Sequence, residues 1–208
     1  MVAPTRVGWT FGSNAGAATL TLSNPAGAQA GDRIVAFASH TGSGATITNY
    51  QGWTLVSVLT FNTRRWHILE RDYAASYPAL SLSTSEGVLW ATIAVRPTTG
   101  YALSSTVLGA TWRRVDNGGS INTTQAPSVT APGDALALAF FSETSTAAEV
   151  EAGAVLTGTD WVKWFWSKAT AGDANPINFL AYREPPAGAT GTATVTYSSA
   201  VPAPINSN

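Results

Sequence analysis

The stretch GDRIVAFASH, residues 31–40, decides the fold class, because a Gly-Asp turn opens directly into a short apolar run. A second stretch of the same form, GDALALAFFS, occupies residues 133–142. Each run is too short for a stable helix and has the length of a buried strand. Neither alternating face of either run is fully polar, so we expect two central strands that are covered on both sides. One such strand in each half of the chain predicts a β-sandwich whose halves are loosely repeated.

The rest of the chain reads as short strands separated by turn-rich segments, with no alternation of strands and helices. Two hairpins are expected, one around residues 62–63 and one around the DNGG turn at residues 116–119. Residues 144–154 fit a short helix or an open loop. About a dozen strands predict an all-β, antiparallel β-sandwich of the jelly-roll or double Greek-key type. We expect one domain over residues 1–200, followed by a short polar C-terminal tail at residues 201–208.

The similarity of the two halves extends beyond their opening strands. In each half, a Gly-Asp strand is followed by a loop, a strand that begins with Trp and a strand that ends with Arg. These landmarks are Gly31, Trp53 and Arg71 in the first half and Gly133, Trp161 and Arg183 in the second. The spacings differ by several residues, so the pattern indicates two related units rather than a short tandem repeat.

Composition excludes several classes of partner. The 208 residues include 11 Lys and Arg against 12 Asp and Glu, so the net charge of -1 provides no electrostatic attraction for nucleic acid or an anionic membrane. Cysteine is absent, which excludes disulfides and thiolate metal sites. The N-terminal MVAPTRVGWTF has no signal-peptide pattern, and no apolar run is long enough to insert in a membrane.

Residue patterns give little support for catalysis. Glu70 and Asp72 would share a strand face about 7 Å apart, as in paired-carboxylate glycosidases, although neighbouring arginines make an ion-paired strand end the simpler interpretation. His40 and His67 have no metal-ligand spacing and are expected at the surface or rim. No nucleophile elbow, phosphate loop or calcium loop is present. We therefore predict that the protein is not an enzyme and uses no metal or cofactor.

The eight tryptophans are the better indication of binding. Four of them lie within or beside alternating strands and are expected in the core: Trp9, Trp53, Trp90 and Trp112. The segment DWVKWFWSK, residues 160–168, differs because its tryptophans occupy both faces of one strand. At least one of them should lie at a surface or an interface, where it would bind a glycan or anchor a neighbouring subunit.

Several motifs together resemble small jelly-roll virion proteins of tailed bacteriophages, found among capsid-decorating and minor tail components. They are the Gly-Asp strand, GWTLV at residues 52–56, LERDY at residues 69–73 and VLWATIAVRP at residues 88–97. The resemblance covers most of residues 30–200. It implies a structural or attachment role in a virion assembled in the host cytoplasm, with no active site to transfer.

We therefore expect a non-catalytic virion surface protein that decorates the capsid or tail through repeated contacts with virion proteins and with itself, a trimer being one expected form. One alternative is a tail module for host attachment that binds carbohydrate, and another is a jelly-roll enzyme that degrades glycans. Loops 40–51, 115–125 and 144–159 are expected contact surfaces. The candidate interface or glycan-contact residues are Arg64, Arg65, Arg113, Arg114, Trp161, Lys163, Trp164 and Trp166.

Overall fold

The computed structural model describes residues 4–14, 16–40, 46–61, 64–83, 87–98, 114–117, 120–126, 128–131, 135–145, 154–168, 175–184 and 188–202. Within these residues all regular structure is β-strand and every strand pairing is antiparallel. The predicted all-β class is therefore confirmed. The chain divides into two compact units, residues 2–107 and residues 108–208, which we call the first and the second unit. A single domain over residues 1–200 stays a prediction.

The first unit contains two sheets. Its strands are β1 (Thr5–Asn14), β2 (Thr19–Leu20), β3 (Arg33–His40), β4 (Ile47–Asn49), β5 (Thr54–Phe61), β6 (Arg64–Asp72), β7 (Leu80–Leu82) and β8 (Val88–Arg96). One sheet has the order β1-β8-β3-β6-β5, and the other has the order β2-β7-β4. Strands β5 and β6 pair across residues 62–63, as the sequence predicts for a hairpin.

A sandwich-like core lies between these two sheets. Ile34, Ala36 and Ala38 of β3 are fully buried and pack with Leu20 of β2 and Leu80 of β7. Small alanines on the larger sheet leave room for bulky side chains from the smaller one, which is how layers interdigitate at high packing density. The burial of β3 and β8 on both of their faces confirms the expectation for the first central strand.

The second unit repeats this arrangement with its own strands. They are β9 (Arg114–Asn117), β10 (Ser120–Ala126), β11 (Thr130–Ala131), β12 (Ala137–Ser145), β13 (Val155–Thr157), β14 (Val162–Lys168), β15 (Asn175–Arg183), β16 (Gly188–Ala189) and β17 (Ala193–Pro202). The sheets have the orders β13-β17-β10-β9, β12-β15-β14 and β11-β16. The core packs Ala139 and Phe141 of β12 against Val195 of β17.

Six strands of the first unit have the same order as six strands of the second. The order β3-β6-β5 corresponds to β12-β15-β14, and β2-β7-β4 corresponds to β10-β17-β13. Each edge strand that follows a landmark tryptophan also has a register shift at the same place, between Leu55 and Ser57 in β5 and between Lys163 and Phe165 in β14. The correspondence therefore extends to single residues and aligns Trp53 with Trp161.

The landmark tryptophans begin their strands after similar turns. The Trp53 backbone N–H donates to the Tyr50 carbonyl at 2.9 Å, and the Trp161 N–H donates to the Gly158 carbonyl at 3.4 Å. Positive φ angles occur in both turns, at Gln51 (49°) and Asp160 (63°). A non-glycine residue adopts such a conformation only where its surroundings hold it there.

An arginine at the end of the neighbouring strand contacts each turn. The Arg71 guanidinium donates to the Gln51 carbonyl at 3.0 Å, and the Arg183 guanidinium lies 3.4 Å from the Asp160 carboxylate. The tryptophan and arginine landmarks thus form one structural element in each unit, in which the arginine stabilises the turn that positions the tryptophan.

One strand boundary differs from the sequence prediction. Strand β17 continues to Pro202, two residues into the segment predicted as a polar tail. Residues 146–153 of the ambiguous 144–154 segment lie outside the described residues. None of the described residues belongs to a helix that could span a membrane.

Candidate functional site

The large apolar side chains that are exposed in the described part of the chain all lie on edge strands. β1 and β5 are the edges of the five-stranded sheet, and β13 and β14 are edges of sheets in the second unit. We call this set the apolar edges, and it consists of Trp9, Phe11, Leu55, Val58, Val155 and Val162. An edge strand has unpaired backbone N–H and C=O groups, and apolar side chains beside them make pairing with another chain favourable.

Strand β14 contains three of the residues that the sequence nominates for contact, and a fourth comes directly before it. Lys163 is exposed and Trp164 is half-buried, so both side chains reach the surface of this edge strand. Trp161 precedes the strand and is buried in the core of the second unit, where its indole N–H donates to the Gly191 carbonyl at 3.4 Å. That position gives Trp161 a packing role. The backbone of Trp166 lies in β14, but its side chain is outside the described residues.

Trp164 lies at the register shift in β14 and packs edge-to-face on Tyr182 of β15, with 5.9 Å between the ring centroids. Val162 pairs with Tyr182 across the ladder and is 47% exposed, so it lies on the same face. Trp164, two residues after Val162 and packed on the same tyrosine, therefore shares this face with the exposed valine and directly follows Lys163 in the sequence.

Of the four arginines that the sequence nominates, only Arg65 has a described side chain. Arg65 is half-buried on β6, an inner strand, where it lies opposite His40 in the ladder. Arg64 and Arg114 have their backbones in β6 and in the edge strand β9, and their side chains are outside the described residues, as is all of Arg113.

Trp9 and Phe11 form an aromatic surface, whereas the sequence prediction placed Trp9 in the core. Both lie on β1, are 36% and 41% exposed, and stack with 5.7 Å between their ring centroids and 20° between their planes. Alternation places them on one face of β1, but it does not reveal that β1 is a sheet edge. Trp53 and Trp90 are core residues as expected, and Trp112 is outside the described residues.

The two carboxylates considered for glycoside hydrolysis have different surroundings. Glu70 is buried at 9% exposure, whereas the Asp72 side chain is 83% exposed and lies 3.4 Å from the Arg33 guanidinium. The ion-paired strand end expected for this segment is thus present at Asp72. The enzyme alternative stays a prediction.

The two histidines of the chain are neighbours in the core of the first unit, so the expectation of surface or rim positions is wrong. His40 and His67 are both fully buried, and their ring centroids are 4.9 Å apart. They end up adjacent because Ala38 pairs with His67 and His40 pairs with Arg65 between β3 and β6, which puts both rings on the inner face. Sequence spacing could not reveal this contact, since it depends on the pairing of two strands distant in the chain.

Burial keeps both imidazoles neutral. It lowers the pKa of His40 to about 4, and the charge of Arg65 acts in the same direction. Burial also lowers the pKa of His67 to about 3. Repulsion from a protonated His40 and from the charge of Arg65 acts in the same direction. Among the described residues no group of three or more His, Asp or Glu side chains could hold a metal ion.

The chain was also compared with known proteins. No family model, no curated protein and no solved structure matched it.

Proposed function

We propose that this protein is a non-catalytic structural component of a tailed-bacteriophage virion surface, which contacts neighbouring virion proteins and further copies of itself through its apolar edges. One observation carries the binding part of the proposal: every large apolar side chain that is exposed in the described residues lies on an edge strand. The virion, its assembly in the host cytoplasm and the jelly-roll form of the sandwich rest on the resemblance of the strand motifs at residues 52–56, 69–73 and 88–97.

The composition of the surface supports repeated protein contacts. Only 11% of the residues are charged, so few charged groups lose hydration when two surfaces meet. Half-buried aromatic anchors such as Trp164, surrounded by smaller apolar groups, are the residues that dominate interface energies. On a symmetric particle, many weak contacts of this kind add through effective concentration.

Serine substitutions at the edges test the proposal. The variants Trp9→Ser/Phe11→Ser and Leu55→Ser/Val58→Ser each remove apolar area from one edge strand of the first unit, and Val155→Ser/Val162→Ser removes it from two edge strands of the second. We expect the wild-type protein to self-associate at micromolar concentrations in sedimentation velocity, and at least one variant to weaken this association by tenfold or more.

Matched controls on the same strands are Ser13→Ala on β1 and Thr60→Ala on β5, which change exposed polar side chains. Both should associate like the wild type. Equal association of all three edge variants and the wild type would contradict the proposal.

A second candidate function is the binding of a host glycan, and the Trp9–Phe11 pair favours it. Exposed, nearly parallel aromatic rings offer apolar faces on which sugar rings stack. Titration of cell-wall glycans would then shift tryptophan fluorescence saturably, and Trp9→Ala would abolish the shift. A shift that persists in Trp9→Ala would show that this pair is not the glycan site.

A further inference from the structure

Three of the four ring nitrogens of the buried His40–His67 pair have no hydrogen-bond partner among the residues that the structure describes. His67 Nε2 lies 3.2 Å from the Thr46 hydroxyl and 3.5 Å from the Ile47 amide nitrogen. Its Nδ1 and both nitrogens of His40 have no hydrogen-bond partner among the described residues. A neutral imidazole tolerates this better than a charged one, because an unpaired buried charge costs far more free energy than an unpaired polar atom.

A nearby positive charge adds to the free-energy cost of protonating either histidine. Arg65 lies on the same strand face as His67 and opposite His40, and its charge disfavours protonation of both rings. Tyr50 is a further titratable group that faces the pair. Its ring centroid is 6.4 Å from that of His67, and burial raises its pKa. Neither histidine is influenced by any described carboxylate, so protonation here would place positive charges side by side without a counter-charge.

The second unit lacks this cluster although it has the same strand order. The shared registers align His40 with Glu143, His67 with Phe179 and Arg65 with Ile177. Folding of this sandwich therefore does not require a histidine pair, and the cluster is a particular feature of the first unit.

We propose that the buried His40–His67 pair makes the first unit acid-sensitive, so that mild acidification loosens it, beginning at β4. The Ile47 N–H points at the lone pair of His67 Nε2. A proton on that nitrogen would make it a donor, so the Ile47 N–H would lose its acceptor and face another N–H group. Ile47 begins β4, a three-residue edge strand that pairs with β7 alone, so this loss would weaken the attachment of β4 first.

The direction of the pH effect follows from the difference between the folded and unfolded states. Both folded pKa values lie below the ordinary value of 6.5, so between these values the unfolded chain binds more protons than the folded one. The stabilisation is complete above pH 6.5 and is lost as the pH falls toward 4. Each histidine contributes up to about a tenfold increase in the unfolding equilibrium constant per pH unit.

Urea unfolding between pH 7 and pH 5 tests the proposal on the intact protein. Between pH 7 and pH 5 the change in stability comes mainly from the two histidines, because the chain has no others and ordinary carboxylates stay mostly ionised at pH 5. We expect the unfolding equilibrium constant of the first unit to rise by about 500-fold across the window. A wild-type rise of less than about fivefold would overturn the proposal, and this result needs no variant.

The variant His67→Phe separates the pair from other causes of acid sensitivity. Phenylalanine is the residue at the corresponding position of the second unit, which makes it a fitting replacement. With one histidine left, the unfolding equilibrium constant should increase only about 20-fold between pH 7 and pH 5. An unchanged rise in this variant would also overturn the proposal.

Hydrogen exchange locates the first opening. Protection of the Ile47 amide should fall between pH 7 and pH 5 before that of Ile93, which lies in the buried strand β8. Simultaneous loss of protection at both amides would contradict the assignment of β4 as the first part to loosen.

Discussion

At the scale of single residues, Asp32 explains why a Gly-Asp pair opens the first central strand. The Gly31 φ angle of 94° lies in the region that favours glycine, and the next residue returns the chain to the sheet. The Asp32 carboxylate is almost fully buried. It accepts a hydrogen bond from the Gln29 backbone N–H at 2.9 Å and two from the Arg96 guanidinium at 2.8 and 3.0 Å. One side chain thus joins the turn before β3 to the end of β8.

Asp32→Asn should lower the free energy of unfolding by about 2 kcal/mol, because hydrogen bonds to a buried charged group are stronger than neutral ones. Urea unfolding at pH 7 measures the change. Burial acts to raise the pKa of Asp32, but the Arg96 and Gln29 hydrogen bonds and the Arg96 charge outweigh it, so the pKa is lowered. The stabilisation should therefore be present above about pH 4 and be lost as the pH falls further.

Asp72→Asn is the matched control, since Asp72 also pairs with an arginine but its side chain is 83% exposed. Exposed ion pairs contribute little, so the free energy of unfolding should change by less than about 0.5 kcal/mol. Equal losses in the two variants would show that burial of Asp32 does not decide its contribution.

At the scale of elements, the two tryptophans at the start of β14 have different roles, one in the core and one at the surface. Trp161 lies in the core immediately before the strand, whereas Trp164 lies at the bulge, half-buried against Tyr182. The bulge is repeated in β5, where Val56 occupies the corresponding position. An extra residue thus lies at the same place in both edge strands.

Alanine substitutions should distinguish the two tryptophans. Trp161→Ala should lower the free energy of unfolding by about 3–5 kcal/mol, because it leaves a cavity in the core. Trp164→Ala should cost only about 1 kcal/mol, the value of an aromatic pair, while it weakens self-association. Thermal unfolding and sedimentation velocity on both variants provide the comparison, and a larger stability loss in Trp164→Ala would contradict these roles.

The sequence predicts elements better than it predicts contacts. Alternation and turn residues located β3, β6 and β8 within two residues, because period and turn chemistry are local properties. Which strands become edges depends on pairing between distant segments, and that is why Trp9 was assigned to the core. His40 and His67 were separated in the prediction for the same reason.

At the scale of the whole molecule, the two units are variations on one strand order with different residues at corresponding positions. Each has its own buried core and its own Trp–Arg turn, and each presents apolar side chains on edge strands. Conservation of the turn and bulge positions explains the loose repeat in the sequence. The histidine pair in the first unit and the Trp164–Tyr182 pair in the second show where the repeat has diverged.

Hydrogen exchange of the intact protein at low and high concentration tests most directly whether the apolar edges are the binding surface. Amides of β1, β5, β13 and β14 should gain protection when the protein associates, while those of β3 and β8 should not change. Protection that appears instead in the loops at residues 40–51 and 115–125, with the edge strands unchanged, would contradict the account.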